Sequence, residues 1–260
     1  MVTGIITYAG TNYSFVETKH ISGKFNAFSV DNFGRIYLVE DDIVVQLSKE
    51  YDTIFTTSLK TFFPYSIESR KSFRSLLFDI DRSTILFLDN TLTNIQGDID
   101  LVQLNIQQPV LACESFNGNT FWVLDAANMR LVRLNDKLEF INQTENLIHL
   151  FDSANEPAQM LESNDFVYIL VPEKGVAVFD VFGTFIKLVE VNGKSITGFN
   201  RFLLVAKENE IEVFDSQNLF LSSGAYPIPE ESTSFYFTQQ LSYFLTDKGL
   251  KIGRFIEKEE

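Results

Sequence analysis

The chain has 260 residues, 45% of them apolar and 14% aromatic, including 26 Phe, which is enough to bury a substantial core in one domain or two small ones. Lys and Arg number 21 against 35 Asp and Glu, and the formal charge of −14 sets the surface field against nucleic acid and anionic membrane. No run approaches ~18 consecutive apolar residues, the single Cys excludes an internal disulfide, and two His leave little for a His-rich metal site.

Residues 1–24 lack the basic start and the apolar core of roughly 7–15 residues that mark a secretion signal. The chain is then either cytoplasmic or the mature form of a protein whose signal has been removed. Tyr13-Ser14-Phe15-Val16-Glu17 has a β pattern and stands apart from everything that follows.

From there, short β-rich runs come in pairs separated by a turn. Ile36-Tyr37-Leu38-Val39 precedes Ile43-Val44-Val45-Gln46-Leu47, and Leu76-Leu77-Phe78 precedes Ile85-Leu86-Phe87-Leu88. Phe121-Trp122-Val123-Leu124 precedes Leu131-Val132-Arg133-Leu134, and Val167-Tyr168-Ile169-Leu170 precedes Val176-Ala177-Val178-Phe179. Phe202-Leu203-Leu204-Val205 precedes Ile211-Glu212-Val213-Phe214, and Tyr243-Phe244-Leu245 precedes Leu250-Lys251-Ile252-Gly253-Arg254-Phe255. Leu76 to Leu88, Trp122 to Leu134, Val167 to Phe179, Phe202 to Phe214 and Tyr243 to Phe255 are each 12 apart. A short polar residue ends the second run at Ser48, Asp89, Asn135, Asp180 and Asp215, and a third run is expected from near Tyr51, Leu92, Leu138, Phe185 and Leu219.

The closing residues Leu47, Leu88, Leu134, Phe179, Phe214 and Phe255 are spaced 41, 46, 45, 35 and 41 apart. A period near 40 holding about four strands is that of propeller blades, whose sheets bury both faces only by stacking. The expected fold is all-β: a single six-bladed β-propeller, with blades at about 25–57, 65–96, 109–143, 158–190, 195–222 and 232–256. The sixth blade runs out of chain after its third strand, so residues 13–18 should supply the fourth and close the ring. Innermost strands are expected at 25–30, 65–69, 109–114, 158–162, 195–199 and 232–237.

Val30-Asp31-Asn32-Phe33-Gly34 with Ile36-Tyr37-Leu38, Phe87-Leu88-Asp89-Asn90-Thr91-Leu92, Ala112-Cys113-Glu114-Ser115 leading into Phe121-Trp122-Val123-Leu124-Asp125, and Val178-Phe179-Asp180-Val181-Phe182-Gly183-Thr184-Phe185 carry a resemblance. They resemble six-bladed propellers of the NHL and TolB-like kind, and more narrowly a group of bacterial envelope propellers, over roughly residues 25–220. The resemblance implies a periplasmic or outer-membrane-associated protein, and by analogy an accessory subunit of an assembly such as an outer-membrane secretion complex.

Chemistry is sparse. Asp31, Glu68, Glu114 and Glu162 end innermost strands, three of them as Glu-Ser pairs (Glu68-Ser69, Glu114-Ser115 and Glu162-Ser163). Such a partial carboxylate ring is a candidate calcium site, as in propeller lactonases and hydrolases, or a dock for basic groups; the same residues also serve as turn acceptors. No other cofactor is indicated. His20, His149 and Cys113 adjoin no obvious catalytic partner and read as structural. No glycine run forms a phosphate cradle. Phe62, Phe63 and Tyr65, in one connection, are candidate anchors for a protein partner, with packing between blades as the alternative. Arg70, Lys71 and Arg74 form the one basic cluster, a candidate contact for an acidic partner or a solvated loop. The segment 144–157 reads as a short helix over a channel mouth or a structural lid. The sum favours a non-catalytic protein-interaction propeller over a calcium-dependent enzyme or a small-molecule or glycan binder.

Overall fold

The computed structural model describes residues 13–258 apart from 72, 117, 145, 146, 149 and 151–155. Strand β1 (Tyr13–Ser22) is followed by β2 (Ala27–Val30), β3 (Ile36–Glu40), β4 (Ile43–Leu47) and β5 (Thr53–Ser58). Next come β6 (Ser66–Glu68), β7 (Arg74–Asp79), β8 (Thr84–Asp89) and β9 (Ile99–Asp100), then β10 (Pro109–Ser115), β11 (Thr120–Asp125), β12 (Arg130–Asn135) and β13 (Phe140–Gln143). The fourth group is β14 (Gln159–Ser163), β15 (Phe166–Val171), β16 (Gly175–Asp180) and β17 (Phe185–Val189), and the fifth β18 (Ser195–Phe199), β19 (Phe202–Ala206), β20 (Glu210–Asp215) and β21 (Leu221–Pro227). The last is β22 (Ser234–Phe237), β23 (Ser242–Thr246) and β24 (Gly249–Glu257). Each group forms one four-stranded antiparallel sheet, and β1 pairs with β24 as the fourth strand of the sixth. This is a six-bladed β-propeller arrangement of sheets, as the repeat predicts. Among the described residues, helix is limited to a 3-10 turn at Val102–Leu104.

The described chain divides into two compact units. The first holds sheets one to three, from the described residues of 24–152 with 181–184. The second holds sheets four to six, from those of 1–23, 153–180 and 185–260.

Strand alternation explains why the central runs are apolar throughout. In β7 and β8 of the first unit, Leu76, Phe78, Ile85 and Phe87 pack with Phe121, Val123, Val132 and Leu134 of the third sheet. Their neighbours Leu77, Leu86 and Leu88 turn the other way, onto Tyr37, Val39 and Val44 of the first sheet. Period-two side chains with both faces covered leave no polar position, and each such side chain contributes ~1.5–3 kcal/mol by burial. The second unit repeats the device: Leu203 and Val205 join Tyr168 and Leu170, while Phe202 and Leu204 join Phe235 and Phe244. The 12-residue spacing is a hairpin, with Val167 opposite Phe179.

In the first three sheets the polar residue that closes the third strand builds one recurring turn. Ser48 Oγ accepts from the N–H groups of Glu50 and Asp52 (3.1 and 3.2 Å), Asp89 Oδ1 from those of Thr91 and Thr93 (2.8 and 2.9 Å), and Asn135 Oδ1 from those of Lys137 and Glu139 (both 2.9 Å). The residue between the two donors is left-handed: Tyr51 at φ 73°, Leu92 at 61° and Leu138 at 64°. Only the fourth sheet uses glycine there, Gly183 at φ 86°. Leu92 can hold this conformation because its side chain is buried in the core.

Joining β1 to the last sheet requires a close approach. A Cβ on Gly253 would lie 2.7 Å from the Phe15 ring and 2.2 Å from the Val16 carbonyl oxygen, and Phe15 packs edge-on to Phe244 at 5.0 Å.

One expectation is corrected, and another lies mostly outside the described residues. The outer strand of the second sheet does not start near Leu92, which is spent in the turn; it is the short β9, preceded by a lone bridge between Leu88 and Asn94. The helix expected over 144–157 falls largely on residues outside those described, His149 among them. The described part is non-helical, held by Leu147 N–H to the Met129 carbonyl (2.7 Å), with Leu147 and Leu150 buried.

Candidate partner-binding face

The inner hairpin turns of the first unit connect β2 to β3, β6 to β7 and β10 to β11. In the first, Asp31 is buried and accepts from the N–H groups of Phe33 (2.8 Å) and Arg35 (3.0 Å) and from Arg35 Nε (2.6 Å). Behind it, Gln46 Nε2 donates to the Tyr37 hydroxyl (2.6 Å), which donates to Asp31 Oδ2 (3.3 Å). Burial, and then the Asp31 carboxylate, push the Tyr37 phenol up to about 12.

The second and third turns share an ionic network. Arg74 Nε donates to Glu114 Oε1 at 2.6 Å, and Lys71 Nζ lies 3.6 Å from Glu114 Oε2 and donates to the Gly118 carbonyl at 2.6 Å. Glu68 pairs with Arg70 and accepts from the Glu114 N–H at 2.7 Å. Burial raises the Glu114 carboxyl above its ordinary value, against the opposing pull of Arg74, Lys71 and Arg70. Ser69 N–H reaches the Ser29 hydroxyl (2.9 Å), and the Ser69 and Ser75 hydroxyls lie 2.7 Å apart, so the Glu-Ser pair here does structural work between sheets.

Three phenylalanines stand at the tips of these turns: Phe33 is 60% exposed, Phe73 68% and Phe116 49%. Phe33 and Phe73 touch edge-to-face at 6.0 Å. Arg35 lies over the Phe33 ring at 5.3 Å and Arg70 over the Phe116 ring at 4.8 Å.

The sequence candidates divide accordingly. Asp31, Glu68 and Glu114 are engaged by N–H groups and cations, and Glu162 is buried in β14 of the other unit. Among the described residues no three His, Cys, Asp or Glu side chains converge as metal ligands. Arg70, Lys71 and Arg74 are mostly buried in the network, which corrects the reading of a solvated loop. Phe62 is buried in the core with Leu77 and Leu88, so it anchors its loop from below and is not itself a contact; Phe63 and Tyr65 are exposed. Cys113 is buried, and His20 Nε2 lies 3.2 Å from the Lys248 carbonyl.

Sequence reasoning did not single out Phe33, Phe73 or Phe116 as surface residues. The available signal was their position: each sits in the turn directly after an innermost strand, two of them beside the turn glycines Gly34 and Gly118.

No family model and no curated protein matches the chain. Solved structures resemble it in fold. A streptogramin B lyase superposes with a TM-score of 0.65 at 13% identity, over 95% of this chain and 89% of that one. BamB from Moraxella catarrhalis gives 0.54 at 8% identity, over 92% and 99%. BBS1N in complex with ARL6DN gives 0.57 at 12%, over 85% and 74%. At such identities the likeness establishes the β-propeller class alone.

Proposed function

We propose that the chain is a non-catalytic protein-interaction propeller that serves as an accessory subunit of a bacterial envelope assembly, such as an outer-membrane secretion complex. The observation that carries this reading is the loop 62–65 between the first two sheets. Phe62 and Pro64 are buried and alternate with exposed Phe63 and Tyr65. The Phe63 N–H donates to Asp79 Oδ2 (2.9 Å) and the Tyr65 N–H to the Phe78 carbonyl (2.7 Å). Two large rings are thus held toward solvent on a backbone already fixed, which lowers the entropic cost of using them as anchors. BBS1N, of the same fold class, was solved bound to a protein, which supports a partner of that kind. The resemblance to NHL and TolB-like envelope propellers supports a periplasmic or outer-membrane-associated location.

The test is affinity purification of the native protein from the membrane and soluble fractions of its host in mild detergent. Stoichiometric recovery of an envelope complex, lost with Phe63→Ser/Tyr65→Ser, is the expected outcome. Recovery of both forms as a lone soluble monomer overturns the reading.

A further inference from the structure

The geometry points to a second docking face, at the inner turns of the first unit, whose occupant is a protein segment carrying large apolar side chains around a central carboxylate. This rests on the interaction-module reading and adds to it the chemistry of one partner.

The apolar requirement comes from Phe33, Phe73 and Phe116. Three exposed rings stand on the inner turns of consecutive sheets: Phe33 and Phe73 touch, and Arg70, from the same turn as Phe73, lies over the Phe116 ring. The patch lies on turns that are cross-linked beneath it, by Lys71 to the Gly118 carbonyl and by Arg74 to Glu114. The rings are therefore presented on a rigid base.

The carboxylate requirement comes from how the charges are layered. The side chains of Asp31 and Glu114 are 0% and 4% exposed, whereas those of Arg35, Lys71 and Arg74 are 19%, 19% and 14% exposed. Glu68 and Arg70, at 15% and 11%, roughly balance. A partner approaching the Phe rings meets cation edges with most of their carboxylates beneath them, in a chain whose net charge is −14. The outer turns at the same end of these sheets carry Glu50, Asp52, Asp89, Asp136 and Glu139, with Lys49 and Lys137. That mostly acidic rim repels a uniformly acidic strand, so the favourable place for negative charge is the centre.

The probes are two fluorescein-labelled synthetic peptides flanked by Gly and Ser, one alternating Phe and Asp over a short central stretch, the other Phe and Lys. Fluorescence anisotropy reads their binding to the full chain, to Phe73→Ser/Phe116→Ser, and to Leu221→Ser, which removes an exposed apolar side chain of the second unit. The Phe–Asp peptide is expected to bind roughly tenfold more tightly than the Phe–Lys peptide, to weaken roughly tenfold with the double variant, and to be unaffected by Leu221→Ser. Binding should also fall with added salt. Equal binding of both peptides, binding of neither, or no effect of the double variant overturns the proposal. A host partner recovered equally by the native chain and by Phe73→Ser/Phe116→Ser overturns this face while leaving the interaction-module reading in place.

Discussion

In the second unit, β14 and β15 are joined by Asn164 and Asp165 alone, and β18 and β19 by Asn200 and Arg201, whereas in the first unit residues 31–35 join β2 to β3 and 69–73 join β6 to β7. The tight turns are local chemistry. Asn164, Asp165 and Asn200 take positive φ (53°, 65° and 49°), the conformation a two-residue hairpin needs. The longer turns draw on more than backbone conformation: Asp31 gathers three donors from Phe33 and Arg35 within its own turn, and Glu114, from the neighbouring sheet, holds Arg74 and Lys71. What the extra length and the extra ion pairs achieve is an exposed phenylalanine at each tip. The third inner turn has the same four-residue length in both units, 116–119 between β10 and β11 and 238–241 between β22 and β23, but only the former carries a phenylalanine. Turn length beyond local closure, supported by buried charge, thus sets apart the two five-residue inner turns of the first unit.

The largest test of that contrast is Glu114→Ala. It leaves Arg74 and Lys71 without their shared buried carboxylate, and unfolding in urea should show a loss of about 3–5 kcal/mol. A loss under about 1 kcal/mol would mean the network is not what supports the turns. Glu114→Gln sharpens the point through pH. The folded-state pKa of Glu114 lies above its ordinary 4.5, so the native state binds that proton more tightly than the unfolded chain does. Its stabilising contribution is therefore complete below about pH 4.5 and fades as pH rises through the raised value. Glu114→Gln should flatten the stability profile over that interval, and an unchanged slope would place the titration elsewhere.

How far each region could be read from sequence follows the same division. The outer turns were legible because a polar residue, two donors and a left-handed position recur within five consecutive residues, as at Ser48–Asp52 and Asn135–Glu139. The paired runs were legible because both faces of every sheet are covered, which leaves uninterrupted apolar residues at hairpin spacing. The short β9 was not, since Leu92 is apolar because its side chain fills the core from the turn, and it looks like the start of a strand. In the site, Arg70, Lys71 and Arg74 stood out as a cluster, but Glu114 lies 40 residues from Arg74 in sequence and reaches it only across two sheets. Phe33 and Phe116 were hidden by composition: among 26 Phe in a chain this apolar, a lone ring is expected to be core.

A middle-sized effect tests the tight turns. Asn164→Ala places an alanine at φ 53°, which costs about 1 kcal/mol in the left-handed region, measurable as a lowered urea midpoint at unchanged slope. An effect as large as that of Glu114→Ala would show that the second unit's turns also depend on more than local conformation, and the contrast between the units would fail.

The smallest expected effect is the most informative. If the tips of the longer turns exist for a partner, the isolated protein should not need them, and Phe73→Ser/Phe116→Ser should change the unfolding free energy by no more than about 0.5 kcal/mol. Phe73 is mostly exposed and Phe116 about half exposed, and the turns are held by Glu114, Lys71 and Ser69 rather than by the phenyl groups. The edge-to-face contact of Phe73 with Phe33 and the Arg70–Phe116 stack add little at such exposure. A loss above about 1.5 kcal/mol, a size expected of buried packing, would mean that the rings brace the turns. The length of these turns would then be a matter of stability, and the reason for seeking a partner at this face would disappear.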